Sequence, residues 1–374
     1  MKRNEKESRL ATLFLALLLS GSLSPSVFAQ EIIENSDRPA SKNAGRTIPI
    51  QEVLRIKDEG KGFYFKLPWG LDVGLDGSIF VQDGLALYEF SSDGRFKKNL
   101  VKTGQGPGEI TTEITDFLVN DNNVLFFSAP SNKLIKTDFE GKLIGELKFA
   151  NKIFYRLLAF CGQKYYMLDH KRKNPAQAVG FIESDHSLFL VNDDGTFNPA
   201  SCSFATQQYP QIREFGGGRT ARSYSDITRL SFYSDNQEYL YMVHTPEYLI
   251  KRLALKKAEV TGIFRRSYRR AKYKKQDPRD TRKMPEYDND VYRLLVHKDH
   301  IWALTSTYDP LKGVLVDVFD SDGKYADNFW LPLLNIRTGD NISQRYYPVL
   351  IRGDFLYAIE HDTDWNFSIV KYRI

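Results

Sequence analysis

The sequence predicts an all-β fold: a six-bladed β-propeller whose ring is closed by an N-terminal strand that completes the last blade. Three observations carry that prediction. First, six short stretches share one order of residues: apolar, aromatic, apolar, variable, polar. They are Ile79-Phe80-Val81-Gln82-Asp83, Leu125-Phe126-Phe127-Ser128-Ala129, Tyr165-Tyr166-Met167-Leu168-Asp169, Leu240-Tyr241-Met242-Val243-His244, Ile301-Trp302-Ala303-Leu304-Thr305 and Leu356-Tyr357-Ala358-Ile359-Glu360. Their central aromatics lie 46, 40, 75, 61 and 55 residues apart, which suits blades of four short strands. Second, an acidic residue followed by Gly recurs between alternating apolar residues, at Asp76-Gly77, Asp93-Gly94, Glu140-Gly141, Asp194-Gly195 and Asp322-Gly323. Glycine accepts the positive φ that tight hairpins require. Third, Phe, Tyr and Trp number 25, 21 and 4, a bias that favours strands over helices.

In chain order, residues 1–29 have the layout of a secretory signal peptide. Lys2, Arg3, Lys6 and Arg9 precede an apolar run from Leu10 to Leu19, and Val27-Phe28-Ala29 offers a small-residue cleavage site. Cleavage is expected after Ala29. The run is shorter than the roughly 20 apolar residues of a membrane span, and no cysteine adjoins it to carry a lipid. Residues 30–46 are polar and lack periodicity, so they are expected to form a flexible leader. The propeller is expected over residues 47–374.

Blade 1 reads as strands A to D at Gly70–Val73, Ile79–Gln82, Leu87–Phe90 and Phe96–Val101, counted from the axis outward. Blade 4 lacks the Gly turn between its last two strands and has Leu255-Lys256-Lys257 there. The last blade reads as strands near Tyr347–Ile351, Phe355–Glu360 and Phe367–Ile374, after which the chain stops. An open sheet edge invites aggregation. The alternating segment Thr47 to Leu54 has no other partner and is assigned to that edge.

Strand direction alternates within a blade. The A-to-B and C-to-D turns therefore share one face of the ring, and the B-to-C and D-to-A connections share the other. All the A-to-B turns are short, whereas His170–Ser184, Ser203–Ser225 and Phe264–Asp290 are long insertions on the second face. Function tends to sit on loops carried by a rigid scaffold, so that face is the expected binding face.

The formal net charge is +5, and loss of residues 1–29 removes four basic and two acidic residues, leaving +3. Arg265 to Lys283 alone holds ten basic and two acidic residues. The basicity is thus local, which argues against a general nucleic-acid binder. Cys161 and Cys202 are placed on opposite faces of blade 3, too far apart for a disulfide. No further segment has the length and hydropathy of a membrane span, so an integral membrane protein is not expected.

Phe65-Lys66-Leu67-Pro68-Trp69-Gly70-Leu71-Asp72-Val73 through Thr103-Gly104-Gln105-Gly106-Pro107-Gly108-Glu109-Ile110 resembles an NHL-type propeller repeat. With Val318 to Tyr325 and the terminal Ile369 to Ile374, the chain looks like the exported six-bladed β-propeller proteins of Bacteroidetes. The resemblance spans roughly residues 48–374 and implies the fold and export. It implies no chemistry and no catalytic residue. Many of those relatives are lipoproteins, and the lipid-bearing Cys is missing here.

Two groups of residues are candidates for a site. The strand B exits, Asp83, Ala129, Asp169, His244, Thr305 and Glu360, with His170 and His361 beside them, could converge on the central channel. Such a set would suit calcium better than zinc, which needs tighter His or Cys clustering. The plain alternative is that strand ends are polar because they meet water. The second group is Arg265, Arg266, Arg269, Arg270, Lys272, Lys274 and Lys275, interleaved with Phe264, Tyr268 and Tyr273. It could hold an anionic small molecule or glycan, or it is a solvated loop. Gly104–Glu109 lacks the Lys and the helix of a phosphate loop and reads as a D-to-A turn. Gly216-Gly217-Gly218 reads as part of an inserted loop, and Arg352-Gly353-Asp354 as a tight turn.

These residues point to an exported protein that binds a ligand or an envelope protein through its long-loop face. The rival reading is a metal-assisted hydrolase or lyase working at the channel. A third is a scaffold with a flat apolar patch. No nucleophile motif favours catalysis.

Overall fold

Alternating apolar residues pair into six antiparallel sheets, one for each predicted blade, in the computed structural model of the chain. It describes residues 32–58, 60, 62–120, 122–173, 182–215, 219–226, 230–234, 238–244, 248–272, 286–287, 289–333 and 349–374. Among these there is no helix, and so none long and apolar enough to cross a membrane.

Blade 1 comprises Gly70–Val73, Ile79–Asp83, Ala86–Phe90 and Phe96–Asn99, and blade 2 Asp116–Val119, Val124–Ser128, Lys133–Thr137 and Leu143–Lys148. Blade 3 comprises Phe154–Cys161, Lys164–Asp169, Ile182–Asn192 and Phe197–Phe215, extended by Arg219–Asp226. Blade 4 is Leu230–Ser234, Tyr239–His244, Leu249–Ala254 and Glu259–Arg266, and blade 5 is Val291–His297, His300–Asp309, Gly313–Phe319 and Tyr325–Leu331. Blade 6 has only Val349–Arg352, Phe355–His361 and Phe367–Arg373 from the C-terminal part. Each innermost strand approaches the innermost strands of both neighbouring blades, and the sequence of approaches closes on itself.

Three strands precede the blades: β1 (Ile32–Asn35), β2 (Arg46–Thr47) and β3 (Gln51–Lys57). β3 pairs antiparallel with Phe367–Arg373 and supplies the missing outer strand of blade 6. That matches the segment assigned from the sequence, with a start four residues later. The leader is different from expectation. β1 adds in parallel to the outer strand of blade 4, and β2 adds in parallel to that of blade 5. Residues 32–48 are therefore a strap over two blade edges and not a flexible leader. The physical reason is main-chain satisfaction, for which polar side chains are no obstacle. Ala40, Ser41, Gly45 and Ile48 each donate an N–H to the outer strand of blade 5. Asn35 staples two blades: its Nδ2 donates to the carbonyls of Arg265 and Gly323, both at 2.9 Å, and its Oδ1 accepts from Tyr325 N at 2.9 Å.

The core is divided as the ring demands. Six buried clusters occur, and each draws from two adjacent blades. Phe80 and Leu87 meet Phe117 and Phe126 between blades 1 and 2, while Leu356 and Val370 meet Trp302 and Val316 between blades 5 and 6. The blade 6 to blade 1 junction contains Ile56 of β3, so the closing strand is packed as well as paired.

The clusters correct one register. In blades 1, 3, 4, 5 and 6 the central aromatic, Phe80, Tyr166, Tyr241, Trp302 or Tyr357, faces the next blade. In blade 2 Phe126 faces the preceding blade and Leu125 and Phe127 face the next. The equivalent stretch is therefore Val124-Leu125-Phe126-Phe127-Ser128, one residue earlier, and its exit residue is Ser128 in place of Ala129. A slip of one residue exchanges the two faces of a strand.

Two insertions are also more ordered than loops. Gln208–Phe215 pairs with Arg219–Asp226 as a hairpin, and Lys171–Arg172 pairs with Ser184–Asp185. Both prolong blade 3. Gly216 to Gly218 and residues 273–285 lie outside the described residues. Cys161 and Cys202 form no disulfide with each other, and both belong to the junction of blades 3 and 4.

Candidate functional site

The described strand B exits are each engaged with nearby chain. Asp83 is buried and accepts the backbone N–H groups of Lys66 and Leu67 at 2.6 and 3.0 Å. Ser128 shares a hydrogen bond of 2.7 Å with Thr112. Asp169 pairs with Lys152 and accepts Ser187 N at 2.8 Å. Thr305 donates to Leu315 O and accepts Thr307 N. Glu360, 2% exposed, pairs with Arg55 of β3 at 3.1 Å and accepts the Tyr372 hydroxyl. Lys66, Leu67, Thr112 and Lys152 all belong to D-to-A connections. Asp83, Ser128 and Asp169 thus fasten incoming chain to the end of strand B, while Thr305 and Glu360 tie it to strands of their own blade. The reason is positional: strand B is second from the axis, so its end meets the crossover and not the channel. The side chain of His244 is outside the described residues. His170 stacks on His186, ring centroids 5.0 Å apart, beside Tyr155. Among the described residues no group of three His, Cys, Asp or Glu is placed to hold a metal ion.

The basic segment separates as well. Arg265 pairs with Glu34 of the strap at 2.7 Å. Arg266 is buried and pairs with Asp317 at 2.7 Å under Tyr248, Tyr268 and Tyr325. Burial opposes its charge, but Asp317 and the phenol rings outweigh that and raise its pKa. Burial and Asp317 hold the Tyr248 phenol well above its ordinary value. Arg270 pairs with Asp290 at 2.9 Å and lies over Tyr287. Arg269 and Lys272 are exposed. The glycine turn has its own internal anions: Glu109 accepts Gly106 N at 2.8 Å, and Glu146 accepts Gly108 N at 2.7 Å and pairs with Lys133. Gly108, at φ +73, needs the left-handed conformation. The turn is built around carboxylates of the chain itself, which argues against its use as a phosphate cradle.

What the sequence reading missed is apolar. Among the described residues, Tyr64, Leu67, Trp69, Leu85, Ile153, Leu311 and Trp365 are large hydrophobic side chains between 41% and 88% exposed. All seven lie on B-to-C turns or D-to-A connections, the same face as the insertions. Leu75, 66% exposed, is on an A-to-B turn of the opposite face. The signal was present as apolar residues inside predicted loops, but a single exposed Leu is ordinary and only their common face is informative.

Trp365 is unusual in its backbone. Its turn has the hydrogen bonds of five others: the residue at the Gly position donates its N–H to a carbonyl three residues back, in the turns beginning at Gly74, Ser91, Asp138, Asn192 and Asp320. There the donors are Gly77, Gly94, Gly141, Gly195 and Gly323, at φ of +82, +85, +81, +81 and +81. In blade 6 the donor is Trp365, bonded to Asp362 O at 3.2 Å, at φ +63. Asp362 accepts Asp364 N and Asn366 N, both at 2.9 Å, just as Asp320 accepts Asp322 N and Lys324 N. The left-handed conformation costs a residue with a Cβ about 1–2 kcal/mol. The indole stacks on His361 with centroids 4.5 Å apart and planes within 9°.

No curated protein matches the chain. Among solved structures, a protein of Bacteroides fragilis described as exported is 11% identical, with a TM-score of 0.51 over 92% of this chain and 99% of that one. A member of a domain family from Bacteroides vulgatus is 11% identical, with a TM-score of 0.47 over 87% of this chain and 98% of that one. A gluconolactonase of Xanthomonas campestris is 14% identical, with a TM-score of 0.41 over 90% and 99%. The first of these supports the fold alone. A family model described as a 6-bladed beta-propeller matches residues 74–228. With six sheets closed into a ring and that model matched, the chain is identified as a six-bladed β-propeller.

Proposed function

We propose that the protein is an exported binding module that engages its ligand through the face carrying the B-to-C turns and D-to-A connections. The carrying observation is that, of the exposed large apolar side chains carried on loops among the described residues, seven lie on that face and Leu75 alone on the opposite one; the others, such as Val53 and Ile144, are on outer strands. Exposed apolar surface of this kind marks interaction sites, and a ring held by six buried junctions is a rigid support for it. The signal-like residues 1–29 support export. The ion pairs of Arg265, Arg266 and Arg270 with carboxylates of the chain favour the apolar groups over the basic segment as the contact.

The test compares the mature chain with two variants against a panel of neutral polysaccharides, heparin and anionic lipid vesicles. Serine at Tyr64, Leu67 and Trp69 together is expected to weaken whichever interaction the parent shows by at least tenfold. Leu75→Ser, on the opposite face, is expected to leave it unchanged. The reverse pattern would refute the assignment of the face.

A further inference from the structure

Trp365 occupies a position that this fold otherwise gives to glycine. Five turns of the same hydrogen-bonding pattern place Gly at φ between +81 and +85, and the sixth places an indole at +63. A three-residue hairpin loop ending in a left-handed bulge residue strongly favours Gly there. A bulky residue in that conformation is an outlier, and such outliers gather at ligand sites. The side chain contributes little to the core, being 49% exposed. Its contact is one-sided: His361 covers one face of the indole, and His361 in turn packs edge-on against Phe367 of the junction between blades 6 and 1. The indole is thereby held against His361 and remains half exposed.

Building on the face assignment above, we propose that Trp365 is a stacking platform for a neutral saccharide ring, with Tyr64 and Trp69 as further contacts along the same glycan chain. The chemistry follows from the surroundings. A pyranose presents an apolar face of C–H groups and a rim of hydroxyls. The first suits a flat, half-exposed indole, and the second suits the exposed carboxylate of Asp364 beside it. Asp362 and Asp364 on the same turn disfavour an anion. Tyr64 and Trp69, 61% and 42% exposed on the connection into the adjoining blade 1, suit a chain of rings better than a small cation. The Phe63 and Phe65 rings beneath that connection, 5.0 Å apart, join the same junction cluster as Phe367.

Affinity electrophoresis of the mature protein in gels containing neutral polysaccharides, run beside heparin and a choline-bearing matrix, tests the ligand class. Retardation by a neutral polysaccharide is expected. Retardation by heparin or choline alone overturns the proposal, as does retardation by nothing in the panel. Trp365→Gly and Trp365→Ala are both expected to lower the retarding affinity at least tenfold. Trp365→Gly is also expected to melt above Trp365→Ala, the opposite of the order at ordinary positions, where Gly is the less stable. Equal or reversed melting order removes the strain argument. Binding that survives both Trp365 variants but is lost with serine at Tyr64, Leu67 and Trp69 overturns the role of Trp365 while leaving the face assignment intact.

Discussion

Arg266 and Asp317 lie 2.7 Å apart with side chains 7% and 0% exposed. Asp317 also accepts the hydroxyls of Tyr248 and Tyr325. Removing the guanidinium strands a buried carboxylate, so Arg266→Met is expected to cost about 3–5 kcal/mol in denaturant unfolding. Arg266→Met with Asp317→Leu is expected to cost less than the single change. A single-variant cost below about 1 kcal/mol would contradict this account. His297 behaves differently. Burial first, and then the charge of Lys298, lower its pKa below the ordinary value. Its folded pKa is depressed relative to the unfolded chain, and the charged form is the disfavoured one. Its contribution is therefore complete above the ordinary histidine range and fades as pH falls through it toward the folded value. Melting temperature is expected to drop across that window, and His297→Gln is expected to flatten the drop. A basic run and a lone histidine look alike as composition. Only packing shows that one arginine is core, another ties the strap, and Arg269 is exposed.

At the scale of elements, hairpins are where sequence and structure agree best. Asp-Gly and Glu-Gly pairs located five of the glycine turns because the φ requirement is local. The hairpin after Val291–His297 lacks that signal: Lys298 and Asp299 sit at φ +47 and +62. Asp299→Gly is expected to stabilise the fold by about 0.5–1 kcal/mol, less than the full left-handed penalty because Gly also loosens the unfolded chain. No gain in thermal midpoint would argue that the turn relaxes without it. Blade 2 shows where legibility ends. Leu125, Phe126 and Phe127 are all apolar, so the period-2 signal is degenerate there. The exit residue Ser128 restores the register only once the junction clusters are known. The aromatic turn of Trp365 was invisible for a related reason, since its first four residues resemble any polar loop. The strap was missed because parallel edge pairing needs only backbone. Asn35→Ala removes three side-chain hydrogen bonds and is expected to cost about 2–3 kcal/mol, at roughly 1 kcal/mol each. Amide exchange at Tyr325 N should quicken accordingly, and an unchanged rate would deny the staple.

For the whole molecule, the count of blades and the closing strand were legible because both follow from repeated patterns and one unpaired edge. The face proposed for binding was legible only as a direction, fixed by the alternation of strands, whereas the exposed apolar groups on it were not. The strap has a consequence in time. Asn35 bonds partners 230 to 290 positions later in the chain, and β3 pairs with the last strand. Contacts so distant in sequence must wait for nearly the whole polypeptide. A chain emerging from the ribosome therefore cannot finish its ring until its final residues appear. A version ending at Leu333 should accordingly leave residues 51–57, which lose their partner strand, open to protease, whereas the full chain should protect them.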